Sequence, residues 1–216
     1  MPVVQTRIPL WVKIVYTAYV GVLVPVYWHD YGPTNFLYFC DVALLMTVPA
    51  LWLESSLLAS AALIGILLPQ ILWQVDFLAE TFGYQMTGMT GYMYETKWPL
   101  FTRILSFFHF WLPLFLLWVV WRLGYDRRAF WLWTVLAWID LIVCYLWIPP
   151  PPAPPPPHYM PANINYVYGF SDNAPQQWMD PHLYFALLMI AMPVLIFWPT
   201  HWLLGKLFGK ANRLPA

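Results

Sequence analysis

Charge is scarce in this sequence. Of 216 residues, ten are Lys or Arg and ten are Asp or Glu, 9% in all, where soluble domains carry roughly a quarter. A water-exposed surface cannot be built from so few ionic groups. The charges balance to zero, so there is no electrostatic case for a nucleic-acid partner. Cysteine is nearly absent: Cys40 and Cys144 both lie in apolar runs, and two thiols are too few for a disulfide scaffold. The paired spacings that hold zinc or iron, H-E-x-x-H and C-x-x-C, do not occur, so no metal site is expected. Haem held by two histidines would need a second ligand at the depth of His109, and the sequence offers none. No internal repeat is evident, which leaves a single domain over residues 1–216.

Apolar length is what the sequence has. A spanning helix needs about 20 apolar residues to cross about 30 Å of hydrocarbon. Six runs meet that length, at residues 9–28, 35–53, 55–78, 99–121, 128–148 and 181–204. The segments between them are too short to clothe a soluble core of this size. The expected fold is therefore an all-α integral membrane bundle of about six transmembrane helices. The first run contains Lys13 and is followed by no small-residue cleavage site, so it is expected to be retained.

The basic residues orient the bundle. With the amino terminus in the cytoplasm, Arg7, Lys13, Arg122, Arg127, Arg128, Lys206, Lys210 and Arg213 share the inner side, and only Lys97 and Arg103 lie outside. That asymmetry is the positive-inside pattern. An even helix count then brings both termini into the cytoplasm. The outer side receives two long loops, residues 79–98 and 149–180. The second begins with a polyproline stretch, 149–157, of eight prolines and one alanine, which favours a stiff extended spacer. Prolines at 49, 69, 113 and 193 fall inside helices and are candidate kinks.

Polar groups inside hydrocarbon are costly and are functional candidates by default. Cys40 and Asp41 lie about six residues below the outer end of the second helix, about 9 Å at 1.5 Å per residue, and His109 lies about ten residues into the fourth. Gln70 and Gln74 are four apart on one face of the third, and Asp140 and Cys144 repeat that spacing on the fifth. All converge on the outer half, so a polar cavity open to the outer leaflet is expected. Cys40 with His109 is the pair with a defined mechanism: imidazole takes the thiol proton and the thiolate attacks an acyl carbon. Asp41, about 100° around the helix from Cys40, would orient a histidine or join two helices. Gln70, Gln74, Asp140 and Asn165 are candidate substrate-binding groups. The alternative is that these side chains only cross-link helices. The tryptophans and tyrosines suit interfacial belts.

Three motifs, FLYFCDVALL at 36–45, SFFHFWLP at 106–113 and NINYVYGFSDNAP at 163–175, together resemble the YwaF and transmembrane-protein-164 family. The resemblance implies a helical bundle in which Cys40 and His109 serve acyl transfer between lipids, with a distant relation to membrane hydrolases of fatty-acid esters. The chain departs from the family pattern in its polyproline loop and in the Asp that follows Cys40.

Two readings follow. One is a lipid acyltransferase or acyl-ester hydrolase acting through Cys40 and His109. The other is a non-catalytic accessory subunit of a larger membrane complex, or a protein that holds a lipid, quinone or pigment. A transporter has little support, because Asp140 is the one mid-bilayer carboxylate and no inverted repeat exists. Expected partners are membrane lipids and other membrane-protein subunits, in a bacterial inner (plasma) membrane. No cofactor can be named from the residues.

Overall fold

In a computed structural model, residues 7–153 and 161–208 are described, and among them every regular element is helical. Residues 154–157 of the polyproline stretch, His158, Lys210 and Arg213 lie outside the described residues. The elements are α1 (Leu10–Asp30), α2 (Phe39–Trp52), α3 (Ser56–Thr81), α4 (Leu100–Leu105), α5 (Phe108–Leu123), α6 (Ala129–Trp147), α7 (Pro181–Ala191) and α8 (Trp198–Phe208). A π-helical segment, Met192–Phe197, joins the last two. Short 3-10 turns occupy Pro33–Leu37, Gly91–Met93 and Ile164–Tyr166.

Five stretches are long and apolar enough to cross a membrane: Leu10–Asp30, Ser56–Thr81, Leu100–Leu123, Ala129–Trp147 and Pro181–Phe208. The run at 35–53 is shorter than expected. Pro33 and Asn35 belong to a 3-10 turn, and α2 itself has 14 residues, about 21 Å at 1.5 Å per residue. It nevertheless connects the same two ends of the bundle as its neighbours.

Contacts at those ends establish the alternation. At one end Glu54, between α2 and α3, takes the Lys13 ammonium at 2.8 Å and the backbone N–H groups of Arg7 and Ile8. Arg122 donates to the Arg7 carbonyl at 2.6 Å, the Asp126 N–H reaches Ser60 Oγ, and Tyr125 shares a hydrogen bond with His201. At the other end Thr102 donates to Asp30, Asp76 accepts from Thr87 and Thr90, and Tyr145 meets His182. Among the described residues the helices thus alternate in direction between a basic end and an opposite end, with Arg7 and Lys206 both at the basic end. Of the described basic residues, Lys97 and Arg103 alone belong to the opposite end.

α3 is central and packs on α2, α5 and α6. Its residues 59–67 are buried all round and include Ala59, Ser60, Ala61, Ala62 and Gly65, small residues that let neighbouring backbones approach where apolar collapse provides no drive between helices. The carboxyl end of α2 is a Schellman turn: the Ser55 N–H bonds the Ala50 carbonyl, the Glu54 N–H bonds the Leu51 carbonyl, and Glu54 takes φ 48. Glycine would enter that conformation more easily. The glutamate is used because its carboxylate also ties down the start of α1 and neutralises Lys13. Burial pushes the Glu54 carboxyl up, but Lys13 and the two N–H groups more than offset this and hold it below its usual value.

α1, α2, α3 and α5 run unbroken through Pro25, Pro49, Pro69 and Pro113. A proline deprives the carbonyl four residues earlier of its helix donor, and two such carbonyls are served by a neighbouring helix. Gln74 Nε2 donates to the His109 carbonyl, four before Pro113, at 2.9 Å. Trp138 Nε1 donates to the Met189 carbonyl, four before Pro193, at 2.8 Å.

Candidate functional site

The polar residues singled out in the sequence fall into three clusters, all toward the end opposite the basic one. The first centres on the amino terminus of α2. Tyr38, at the N-cap position, makes no side-chain cap. The orphan N–H of Phe39 is taken by Asn165 Oδ1 at 3.2 Å, from 126 residues further along the chain. Asn165 Nδ2 donates to the Leu37 carbonyl at 2.8 Å and to Asp140 Oδ2 at 2.6 Å. Cys144 Sγ lies 3.9 Å from the same carboxylate oxygen. One asparagine therefore joins α2, α6 and the loop before α7. It adopts φ 55, in a turn where Asn163 and Tyr166 are also left-handed. Asparagine tolerates that region better than most residues, and the buried contacts of Ile164 and Val167 hold the turn in place. This part of the loop is packed into the bundle.

The second cluster surrounds Asp41. Its carboxylate stands in the first turn of α2, where the helix dipole favours negative charge. Asp41 is 2% exposed. Oδ2 accepts from Asn35 Nδ2 at 3.2 Å and from the Cys40 thiol at 3.8 Å, and Oδ1 has no partner among the described residues. Cys40 is half-buried. Close by, Tyr27 and Ser106 share a 2.6 Å hydrogen bond, and Tyr19 donates to the Leu105 carbonyl. The loop residues Tyr92 and Tyr166 complete the surroundings. Burial first raises both phenols above their usual value; Tyr31 and then Cys40 add to this at Tyr92, and Asp172, Asp76 and Cys40 at Tyr166.

The third cluster holds His109. Nδ1 meets Gln70 Oε1 at 2.9 Å, so that nitrogen carries the proton and the glutamine carbonyl accepts it. The ring stacks between Trp73, centroids 4.4 Å apart, and Phe108, 4.1 Å apart. With Gln74 on the His109 carbonyl, both glutamines of the i, i+4 pair grip one residue of α5. Among the described residues Nε2 has no hydrogen-bond partner.

Cys40 and His109 are thus placed in different clusters and share no hydrogen bond: the thiol faces Asp41 and the imidazole faces Gln70. Among the described residues, no three His, Cys, Asp or Glu side chains converge as metal ligands would. Asn35, Tyr27, Ser106 and Tyr92 escaped the sequence reading. Asn35 stands outside a continuous helix, and the tyrosines were assigned to interfacial belts. Tyr16 and Tyr27 instead lie in the core, each with its hydroxyl bonded, whereas Trp11, Trp28, Trp131 and Trp147 do face outward. The chain matches no known family model, no characterised protein and no solved structure.

Proposed function

We propose that the chain is a six-pass protein of a bacterial inner (plasma) membrane, with both termini cytoplasmic, and that it acts by binding. In this reading it holds a membrane lipid in the outer half of the bundle as an accessory or carrier subunit, without turnover. The observation that carries it is Asp41 Oδ1, a carboxylate oxygen buried in the bundle with no donor. A buried polar atom left unpaired costs about 1–3 kcal/mol. A lipid head bearing a hydroxyl or ammonium group supplies the missing donor, and the tyrosines around it offer polar tips on apolar rings. The clustering of basic residues at one end supports the orientation, and the return of α8 to the end that holds Arg7 supports an even count.

Native mass spectrometry of the protein released from membranes tests the binding reading. Wild type is expected to carry a lipid-sized adduct, Asp41→Asn to weaken it, and Asp41→Leu to lose it while still eluting as folded protein. Wild type free of any adduct, in detergent and in nanodiscs alike, would end the proposal. A carboxy-terminal fluorescent-protein fusion should fluoresce and an alkaline phosphatase fusion should be inactive. The reverse pattern overturns the orientation.

One observation favours the acyl-transfer reading, to which the family resemblance also belongs. His109 Nε2 is free of protein partners, and Cys40 retains some exposure. In that reading Nε2 takes the thiol proton, the thiolate attacks the ester carbonyl to form a thioester, and the imidazolium returns the proton to the departing alcohol. Cys40 must first turn away from Asp41. An acyl probe that adds mass to wild type but to neither Cys40→Ala nor His109→Ala is the expected signature. Equal labelling of wild type and Cys40→Ala removes this reading.

A further inference from the structure

At the basic end a cavity of about 210 Å³ lies between the α5–α6 loop and α8, lined by Arg127, Trp198, His201, Trp202, Gly205 and Lys206. Nothing in the Asp41 or His109 clusters touches it. Its charge is one-sided. The nearby carboxylate, Asp126, is held by Arg128 through both oxygens, at 2.8 to 3.3 Å. Asp126 is kept below its usual range, by its bonds to Arg128 first, against the opposing effect of burial. Arg127 and Lys206 have no ion-pair partner among the described residues. The Lys206 ammonium sits 3.7 Å from the centroid of the Trp202 ring, a cation–π contact that fixes it at the mouth. His201 Nδ1 is engaged with the Tyr125 hydroxyl at 2.6 Å. When Tyr125 donates there, Nε2 carries the ring proton and is a further donor.

A guanidinium fork, an ammonium and an imidazole N–H, with no acid among the described lining residues, form a receptor for a phosphate group. Free phosphate and a lipid head share that chemistry, and the walls favour the lipid. Trp198 and Trp202 are exposed on α8, toward the carboxyl end of the apolar stretch Pro181–Phe208, and tryptophan prefers the membrane interface. We infer that this cavity binds the phosphate of an anionic phospholipid in the leaflet at the basic end, with Arg127 and Lys206 as its cationic contacts. Lipids whose heads carry an ammonium group bind less well, because that charge opposes the two cations. Basic pockets between helices on the cytoplasmic side bind anionic heads for the same reason.

The full chain, delipidated in detergent, would be titrated with phosphatidylglycerol, phosphatidylcholine or inorganic phosphate and followed by native mass spectrometry. Wild type should retain phosphatidylglycerol about tenfold better than phosphatidylcholine. Each of Arg127→Gln and Lys206→Gln should reduce that retention about fivefold, the weight of one surface cation. Arg103→Gln, at the opposite end of the bundle, should leave it unchanged. Asp41→Leu should lose only the adduct assigned to the outer half and keep the preference for phosphatidylglycerol over phosphatidylcholine, which separates this site from the one proposed there. Equal retention of the two lipids, or full retention in the Arg127→Gln, Lys206→Gln double variant, would overturn the inference. Displacement of phosphatidylglycerol by millimolar inorganic phosphate would replace the lipid by the free ion and equally overturn it.

Discussion

The indole of Trp133 on α6 occupies the space where Gly65 on α3 would carry a side chain: a Cβ built there lies 1.8 Å from Trp133 Cε2. Trp133 is 1% exposed and packs edge-on against Phe39 and Phe197, so it has nowhere to retreat. The helix crossing at the centre of the bundle therefore depends on a missing methyl group. Gly65→Ala should destabilise the protein by about 2–3 kcal/mol, the scale of overpacking, visible as a lower thermal midpoint in detergent. Adding Trp133→Leu should recover part of the loss. A Gly65→Ala protein as stable as wild type would show that the crossing is looser than this.

Gln74 and Pro113 form a second pair, linked through the His109 carbonyl. Gln74→Leu should cost about 1 kcal/mol, in line with hydrogen bonds between membrane helices. Pro113→Ala restores an N–H to that carbonyl from within α5. In the Pro113→Ala background the same Gln74→Leu change should therefore cost much less. The double-mutant cycle measures the coupling directly, and strict additivity would refute the linkage.

Asn165 caps α2 from a distance, so Asn165→Ala should expose its effect on α2. The Phe39 N–H, the Leu37 carbonyl and one oxygen of Asp140 each lose a partner. A loss of about 2 kcal/mol is expected from the unpaired groups. Hydrogen exchange should rise selectively at residues 37–42, and unchanged protection there would count against the cap. Asn165→Gly, which keeps the left-handed backbone but not the amide, should not rescue it.

Acid should loosen the basic end. The Glu54 carboxyl is held below its ordinary value of 4.5, so the unfolded chain binds its proton more tightly than the folded one. Its stabilising contribution is fully present above that ordinary value and fades as pH falls through the lower folded value. Asp126, also held low, behaves in the same way. Thermal midpoints measured from pH 6 down to pH 3 should fall more steeply in wild type than in Glu54→Gln, which has no carboxyl to titrate. Parallel curves would assign the acid sensitivity elsewhere.

Periodicity carries local information into the fold, and several features follow from it. The runs at 55–78 and 128–148 become α3 and α6 with ends shifted by three residues or fewer, because apolar length and helix period are written along the chain. The four-residue spacing of Gln70 and Gln74 places both on one face for the same reason. Run length alone misjudged residues 35–38, since Pro33 and the turn it starts delay the helix to Phe39.

The sequence by itself determined that this chain is apolar, helical and basic at one end, because burial cost and helix period act over a few neighbouring residues. Only the tertiary structure decided which polar groups meet. His109 faces Gln70 and Cys40 faces Asp41, Asn165 reaches back 126 residues to cap α2, and Arg127 joins Lys206 around a cavity. Each of these pairings depends on which helices are neighbours and how each is rotated about its axis. Those are set by the close approach at contacts such as Gly65 with Trp133, which no single stretch of sequence contains.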